Sequence, residues 1–197
     1  MPDSLYQSAL TSLHTTISQT ATAIQTSAQS RTNTVSETTE YLRRVNLHTL
    51  ITTDYTLPTT PLLLHITGTK GKGSTASFAE SILRHSHTLT TGLFTSPHLV
   101  CVRERIKING RAVSEEVFGR CYWEVRTLLA KHENPDDLPT YPGYFRYLTV
   151  LALYIFNAEK VAAIILEVGM GGRYDATNVF PQPTVAGVCL LDLDHCR

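Results

Sequence analysis

The stretch Leu62–Ser74, LLLHITGTKGKGS, decides the fold of this chain. Its apolar first half has the character of a β-strand and ends at Gly68, and residues 68–73 then contain three glycines and two lysines. The residues that follow, STASFAESILR, predict a helix. A strand, a glycine-rich turn and a helix in succession are typical of a site for nucleotide phosphates. Small residues let backbone N–H groups approach the anion, and the helix N-terminus attracts negative charge.

The glycine-rich loop supplies the first candidate site residues. Lys72 is the candidate for contact with the β- and γ-phosphates, and Ser74 can offer its hydroxyl or its N–H group. The alternative is a tight turn without a ligand, but such a turn needs one glycine and no lysine. The loop departs from the common G-x-x-x-x-G-K-[ST] pattern, because Gly73 separates Lys72 from Ser74. The predicted nucleotide-binding residues are Gly68, Thr69, Lys70, Gly71, Lys72, Gly73 and Ser74.

The composition indicates an ordinary globular protein. With 197 residues, of which 42% are hydrophobic, the chain can bury the core of one domain with a small appendage. The formal net charge of +0 gives no general attraction to nucleic acid or to anionic membranes. No apolar run approaches the ~20 residues that span a bilayer. The four cysteines have no CxxC spacing, so we expect reduced thiols in an intracellular protein.

The first residues of the chain show no targeting signal. A secretory signal needs a basic segment before an apolar core, and a mitochondrial presequence is rich in arginine. Arg31 is the only Lys or Arg among the first 40 residues. We therefore expect a cytoplasmic protein, with mitochondrial import as the alternative.

Helical and strand patterns alternate along the chain. Before the glycine-rich loop they predict a helix over 2–28, a linker over 29–39, a helix over 40–50 and a loop over 52–61. After it they predict strands over 90–94, 102–108, 161–168 and 184–191, a hairpin turn at Asn109-Gly110, and helices over 114–132 and 144–157. This alternation predicts an α/β domain with a mainly parallel sheet flanked by helices.

Three polar residues lie at or just after the ends of predicted strands: Ser96, Glu167 and His195. Because ligands of such sheets bind beyond the carboxyl ends of the strands, these residues and the glycine-rich loop are expected to converge there. Glu167 takes the position where P-loop enzymes hold the metal of a metal–nucleotide complex, although a solvated carboxylate is the alternative. Taken alone, Ser96 is also consistent with a simple turn, and His195 is also consistent with a histidine that takes no part in the site.

Other polar residues are open to a structural interpretation. Asp175 and Asn178 either belong to the ligand site or hold the second glycine-rich turn through bonds from side chain to backbone. His65 lies within the strand pattern and is expected in the core or at an interface, and His98 has the same structural alternative. Residues 103–105 either form a solvated face or contact the ligand.

Four blocks of the sequence resemble folylpolyglutamate synthases of the Mur ligase superfamily. They are HITGTKGKGSTASFAESILR (65–84), TGLFTSPHLVCVRERIKINGRAVSEEVF (91–118), YFRYLTVLALYIF (144–156) and ILEVGMGGRYDATNV (165–179). Residues 6–13 and 41–44 resemble the N-terminal helices of the family. The family's G-T-x-G-K-G-[ST] loop matches residues 68–74, which accounts for the departure from the common pattern.

The resemblance implies ATP-dependent amide ligation with Mg²⁺. Family members phosphorylate the terminal carboxylate of a reduced folate to an acyl phosphate, which the amine of L-glutamate then attacks. Lys72 would be the catalytic lysine, because it can neutralise charge on the transferred phosphoryl group. The implied metal ligands are Ser96, Glu167 and His195. The implied substrate contacts are Pro97, His98 and Arg105. We expect a monomer that binds ATP, reduced folate and L-glutamate and no nucleic acid.

The resemblance also implies that the chain is incomplete. Family members continue beyond the segment that matches 192–195, complete the ATPase domain and add a C-terminal domain. We therefore expect N-terminal helices over 1–50 and a P-loop-containing Mur-ligase-type domain over 51–197 that is truncated, without the C-terminal glutamate-ligase domain. Two alternatives stay open: a dihydrofolate synthase, which adds the first glutamate to a pteroate, and a nucleotide-binding remnant without catalysis.

Overall fold

The computed structural model describes residues 4–24, 33–55, 57, 60–86, 88–132 and 138–193, with the backbone alone over 17–24. Its helices are α1 (Leu5–Ile24), α2 (Thr34–Arg44), α3 (His48–Thr52), α4 (Lys72–Ser86), α5 (Glu115–Ala130) and α6 (Tyr144–Ala158). Its strands are β1 (Leu62–Thr67), β2 (Thr91–Phe94), β3 (Ile106–Ile108), β4 (Arg111–Ala112), β5 (Ala163–Glu167) and β6 (Val185–Val188). None of the described helices is long and apolar enough to cross a membrane.

The strands form one sheet in the order β4-β3-β2-β5-β1-β6. The four strands β2, β5, β1 and β6 are parallel, β3 pairs antiparallel with β2, and β4 pairs antiparallel with β3. All five residues of β5 are buried, as expected for a central strand covered on both faces. The α/β class and the mainly parallel sheet flanked by helices are therefore confirmed. Ile66 pairs with Glu167, and Phe94 with Leu166, so the carboxyl ends of β1, β2 and β5 lie side by side.

Helices cover the two faces of the sheet unequally. One face packs against α1, α2, α5 and α6 in a core that contains Tyr41, Tyr122 and Tyr147. The other face packs against α4 through a smaller cluster of five buried residues: Ile66, Ala76, Leu93, Ala163 and Ile165. The helix that follows the glycine-rich loop is thus the one helix among the described residues that covers its side of the sheet.

The N-terminal region differs from the prediction in two places. The linker predicted over 29–39 is wrong over its described part, because α2 begins at Thr34. Thr38 is buried there and donates its hydroxyl to the carbonyl of Thr34 at 2.6 Å, so its polar side chain is satisfied within the helix. The single helix predicted over 40–50 is broken at Asn46, whose φ of 63° lies in the left-handed region that asparagine tolerates. The predicted helical residues 25–28 lie outside the described residues.

The segment predicted as a strand over 102–108 is half strand. Residues Val102–Arg105 form a 3-10 turn, and β3 begins at Ile106. The Glu104 carboxylate accepts the N–H groups of residues 99–101 at 2.8, 3.2 and 2.8 Å, and this cap favours a turn over an extended chain. The hairpin turn is confirmed: Asn109 and Gly110 both have positive φ, 49° and 76°.

The predicted helices 114–132 and 144–157 are confirmed as α5 and α6, and the Ser114 hydroxyl accepts the N–H of Val117 at 3.2 Å as an N-cap. The helix predicted from Ser74 begins two residues earlier, so Lys72 is the first residue of α4. The strand predicted over 184–191 is shorter in the structure, because regular pairing with β1 ends at Val188.

Candidate functional site

The glycine-rich loop connects the carboxyl end of β1 to the first turn of α4. Gly68 has a φ of 133°, and a Cβ there would lie 2.9 Å from the Cβ of Cys189, so both conformation and space require glycine. Gly71 has a φ of 84° and open space around its Cα. Lys72 opens a helix of 15 residues, which places the positive end of the helix dipole at the loop. The loop therefore has the geometry of an anion-binding turn.

Residues 190–192 brace the loop from one side. The carbonyl of Leu190 accepts the N–H groups of Thr69 and Lys70 at 2.8 and 3.3 Å. The Lys70 ammonium lies 2.6 Å from the carboxylate of Asp192, which lowers the pKa of that carboxyl. Lys72 points elsewhere, with its Nζ 3.4 Å from the carbonyl of Thr69. The two lysines of the loop thus differ: an exposed carboxylate engages Lys70, whereas Lys72 lies at the helix N-terminus.

Glu167 ends the central strand next to this loop. Its side chain is 4% exposed, and its Oε2 accepts the N–H of Ser96 at 2.8 Å. A Cβ on Gly73 would lie 3.2 Å from both of its carboxylate oxygens, so the first turn of α4 packs directly against it. Burial raises the pKa of Glu167, while the N–H groups of Ser96 and Gly73 and the charges of Lys72 and Arg105 act in the opposite direction.

The structure brings together the loop, Glu167 and Ser96, whereas His195 lies outside the described residues. Ser96 contacts Glu167 through its backbone N–H, and not through its hydroxyl. Within the described part of the chain, no group of three or more His, Cys, Asp and Glu side chains could hold a metal ion. The buried carboxylate of Glu167 still offers the hard oxygen ligands that Mg²⁺ prefers. The residues present therefore fit one side of a magnesium–nucleotide site.

The segment 95–105 closes over the carboxyl end of β2. The N–H of Thr95 donates to the carbonyl of Arg105 at 3.0 Å, and a cis peptide bond joins Ser96 to Pro97. The Arg105 Nε donates to Nδ1 of His98 at 2.8 Å, and its guanidinium lies 5.5 Å from the ring centre of Tyr144. Burial and the Arg105 charge lower the pKa of His98. His98 and Arg105 are therefore joined to each other, and Tyr144 packs against the guanidinium.

Residues 103–105 are partly exposed, and each makes specific contacts. Arg103 donates to the carbonyl of Val113 at 2.9 Å and lies 5.2 Å from the ring centre of Tyr6. The Glu104 carboxylate accepts hydrogen bonds from the backbone N–H groups that precede it, among them that of Cys101. Although burial raises the pKa of Glu167 overall, the charge of Arg105 lowers it.

The second glycine-rich turn is held by its own polar side chains. Asp175 accepts the N–H of Met170 at 3.0 Å and both the N–H and the hydroxyl of Thr177, at 2.9 and 2.6 Å. His65 Nε2 lies 2.8 Å from the Thr177 hydroxyl, which already donates to Asp175, so His65 supplies the proton. Asn178 donates to the carbonyl of Arg173 at 3.1 Å. The structural interpretation of Asp175, Asn178 and His65 therefore fits these contacts.

Comparison with curated proteins shows extensive sequence similarity. A bovine mitochondrial folylpolyglutamate synthase is 50% identical over 133 residues, which is 68% of this chain and 23% of the relative. A folylpolyglutamate synthase from Arabidopsis thaliana is 41% identical over 192 residues, which is 98% of this chain and 29% of the relative. Over these residues the chain belongs to the folylpolyglutamate synthase family. The chain spans less than a third of the length of either relative, and no protein-family profile matches it.

Solved structures of folylpolyglutamate synthases share the fold. One is a complex of the enzyme with AMPPCP and folate, which superposes with a TM-score of 0.77 at 26% sequence identity. The superposition includes 97% of this chain and 41% of the chain in the complex. A bifunctional folylpolyglutamate synthase/dihydrofolate synthase from Yersinia pestis, solved with AMPPNP and a manganese ion, gives a TM-score of 0.62 at 30% identity. That superposition includes 78% of this chain and 33% of the Yersinia pestis chain. The sheet and helices described above thus have the architecture of folylpolyglutamate synthases.

Three residues that contact the site could not be recognised from local sequence patterns. Asp192 binds Lys70 from 122 residues away, Cys189 fills the space beneath Gly68, and Tyr144 lies under the guanidinium of Arg105. Each contact joins segments that are distant along the chain, so no local spacing indicates it. A general expectation that elements after parallel strands converge could have pointed to Asp192, which follows β6.

Proposed function

We propose that the chain carries the ATP-binding part of a folylpolyglutamate synthase, an enzyme that adds L-glutamate to a reduced folate. The observation that supports this most directly is the contact between the first turn of α4 and Glu167. That contact puts the candidate phosphate lysine, Lys72, beside the candidate metal carboxylate. Solved relatives hold an ATP analogue with folate, or an ATP analogue with a divalent metal ion, on the same fold.

In the proposed reaction, the γ-phosphoryl group of ATP passes to the terminal carboxylate of the folate, which gives an acyl phosphate and ADP. The amine of L-glutamate then attacks the acyl carbon, an amide bond forms, and inorganic phosphate leaves. Lys72 and the N–H groups at the start of α4 would neutralise charge on the transferred group, because both are positive and fixed in place before the reaction.

Ser96, Glu167 and His195 are the proposed ligands of Mg²⁺. When bound, the ion would supply positive charge that stabilises the negative charge of the phosphate groups. Glu167 is suited to this role because it is buried beside the loop, where an ion would compensate its charge. Ser96 is proposed because its backbone is fixed to that carboxylate.

Pro97, His98 and Arg105 are the proposed substrate contacts. Pro97 directly precedes His98, and the hydrogen bond between His98 and Arg105 holds these two side chains together. A guanidinium is well suited to a folate carboxylate or an acyl phosphate, because its donors match two oxygens at once.

Nucleotide binding tests the proposal. We expect Lys72→Ala to weaken binding of MgATP by about tenfold to a hundredfold, because it removes hydrogen bonds from a charged donor. Lys131→Ala, which removes an exposed lysine beyond the end of α5, is the matched control and should bind as the parent does. Equal affinity in the Lys72 variant and the parent would refute the role of Lys72.

Glutamate-dependent ATP hydrolysis with tetrahydrofolate tests the ligase reaction itself. We expect little turnover from the 197-residue chain, because it spans less than a third of its curated relatives. Robust turnover would refute that expectation, and nucleotide binding without any turnover would favour the non-catalytic alternative. The Yersinia pestis relative carries both activities in its name, so the same assay with dihydropteroate as acceptor tests the dihydrofolate synthase alternative.

We further propose a cytoplasmic location and a monomer in solution. The three described cysteines are free thiols, as expected in a reducing compartment, whereas the bovine relative is mitochondrial by name. Imaging of a fluorescent fusion distinguishes the compartments, and sedimentation measures the oligomeric state.

A further inference from the structure

The two lysines of the glycine-rich loop each have a carboxylate as a neighbour. The charge of Lys72 acts on Glu167, and the ammonium of Lys70 lies 2.6 Å from Oδ2 of Asp192. In the proposed function a magnesium ion compensates the charge of Glu167, because that carboxylate is one of the proposed ligands. Asp192 is not among those ligands. Its negative charge therefore remains beside the loop when a nucleotide arrives.

The main chain holds Asp192 at the loop independently of the ion pair. The Thr69 hydroxyl donates to the carbonyl of Asp192 at 2.9 Å and accepts its N–H at 3.1 Å. The carbonyl of Leu190 accepts two N–H groups of the loop as well. The Asp192 carboxylate is itself anchored, because its Oδ1 accepts the N–H of Leu193 at 2.8 Å. The carboxylate thus stays in place even if the Lys70 side chain moves away.

The ion pair between Lys70 and Asp192 is exposed and can exchange. The two side chains are 65% and 46% exposed, respectively. The hydrogen bond from Lys70 lowers the pKa of the Asp192 carboxyl, so this group is an anion at neutral pH. Exposed pairs are weak, because water and salt screen them. A phosphate group carries more negative charge than a carboxylate and accepts hydrogen bonds from the same ammonium donors. A nucleotide phosphate at the loop can therefore displace Asp192 from Lys70.

We propose that Asp192 is an internal competitor of the nucleotide: its carboxylate occupies Lys70 in the free protein, and a nucleotide phosphate replaces it on binding. This role rests on the proposed function, because it requires that the loop receives a nucleotide phosphate. No covalent bond changes in the exchange, and Lys70 keeps its protons. The exchange weakens binding because it breaks the ion pair and leaves an uncompensated carboxylate beside the bound anion. Asp192 thus lowers the affinity of the loop below the value that its two lysines would otherwise give.

Titration of the 197-residue chain with MgATP tests the charge of residue 192. Asp192→Asn removes that charge but keeps a side-chain oxygen that can accept the N–H of Leu193, and it leaves the main-chain contacts to Thr69. We expect this variant to bind MgATP about twofold to fivefold more tightly than the parent, the range that an exposed ion pair allows. The gain should shrink in concentrated salt, which screens exposed charges. A purely structural role of Asp192 would give the opposite sign, because the loss of a contact would loosen the loop.

Lys70→Met separates the exchange from simple repulsion. In that background Asp192→Asn should tighten binding by a smaller factor than in the parent, because no ammonium is left to release. Glu116→Gln is the matched control, since it removes the same charge from an exposed residue in the first turn of α5. That helix packs against the face of the sheet opposite to α4. The control should leave the affinity for MgATP unchanged.

Three results would overturn the proposal while the parent binds MgATP and the proposed function stands. Asp192→Asn binds no more tightly than the parent, Glu116→Gln gains as much as Asp192→Asn, or the gain is equally large in the Lys70→Met background. Absence of binding in the parent and in all variants would refute the nucleotide site and the competition together. Binding by Asp192→Asn without binding by the parent would support the competition in its strongest form.

Discussion

Replacing Gly73 with alanine tests whether the loop and Glu167 form one site. A Cβ at position 73 would lie 3.2 Å from both carboxylate oxygens of Glu167, so the carboxylate must give way by a few tenths of an ångström. Glu167 is 4% exposed, and its Oε2 accepts the N–H of Ser96 at 2.8 Å. It cannot swing into solvent, and its movement has to lengthen the bond to Ser96.

The free energy of unfolding should change less than the nucleotide affinity. Overpacking of this kind costs about 1–3 kcal/mol, and the higher helix propensity of alanine offsets up to about 1 kcal/mol. The net loss of about 1 kcal/mol corresponds to a fall in Tm of about 2–4 °C. Nucleotide affinity should fall by about tenfold, because a shift of about 1 Å in a positioned group can cost a factor of about a hundred.

Calorimetric titration with MgATP and thermal unfolding measure the two effects separately. Ser77→Ala is the control, because Ser77 lies exposed on the same helix and the change also raises helix propensity. If Gly73→Ala binds MgATP as tightly as the parent, Glu167 either has room to move or takes no part in the site. If Ser77→Ala loses the same affinity, the effect belongs to the helix and not to the contact with Glu167.

Three further predictions concern other parts of the fold. Burial lowers the pKa of His65, so its contribution to stability is present above the ordinary histidine pKa of about 6.5 and is lost as the pH falls below it. Between pH 8 and 5 the Tm should therefore fall more for the parent than for His65→Gln, and equal slopes would contradict this. Glu104→Ala removes the cap on residues 99–101, so their amides should exchange faster, while unchanged exchange would show that the cap is dispensable. Gly92→Ala would put a Cβ 2.6 Å from the buried ring of Phe156 and should cost about 1–3 kcal/mol in urea unfolding, a cost that Phe156→Leu should partly relieve.

The central part of the fold could be predicted from sequence because local pattern and burial agree there. The run over 161–168 is apolar except for Glu167, and it contains a strand that is buried at all five of its residues. The glycine-rich loop could be located because glycines in a sequence indicate positions where a side chain would be unfavourable. Gly71 has a positive φ, and a Cβ on Gly68 would lie too close to Cys189. Ser96 and Glu167 could be brought together because parallel strands end at the same side of a sheet.

The rest depended on tertiary contacts that no local pattern encodes. The threonines near Thr34 suggest a linker, but burial of Thr38, Tyr41 and Leu42 against the core outweighs their low helix propensity. The position of Lys70 could not be predicted either, because a carboxylate 122 residues away decides whether it faces the loop or residues 190–192. The different contacts of Lys70 and Lys72 are therefore visible only in the structure.

The candidate site is held from two sides that differ in how firmly they are anchored. On one side Glu167 ends a fully buried strand, so its place beside Gly73 is fixed by the core. On the other side the loop contacts Leu190 and Asp192, which follow β6, and among the described strands β6 pairs with β1 alone. The ion pair between Lys70 and Asp192 is exposed to solvent. Exposed pairs and edge strands open more readily than buried ones. Local opening of residues 190–192 would therefore release the phosphate loop on this side, while Glu167 stays in place on the other.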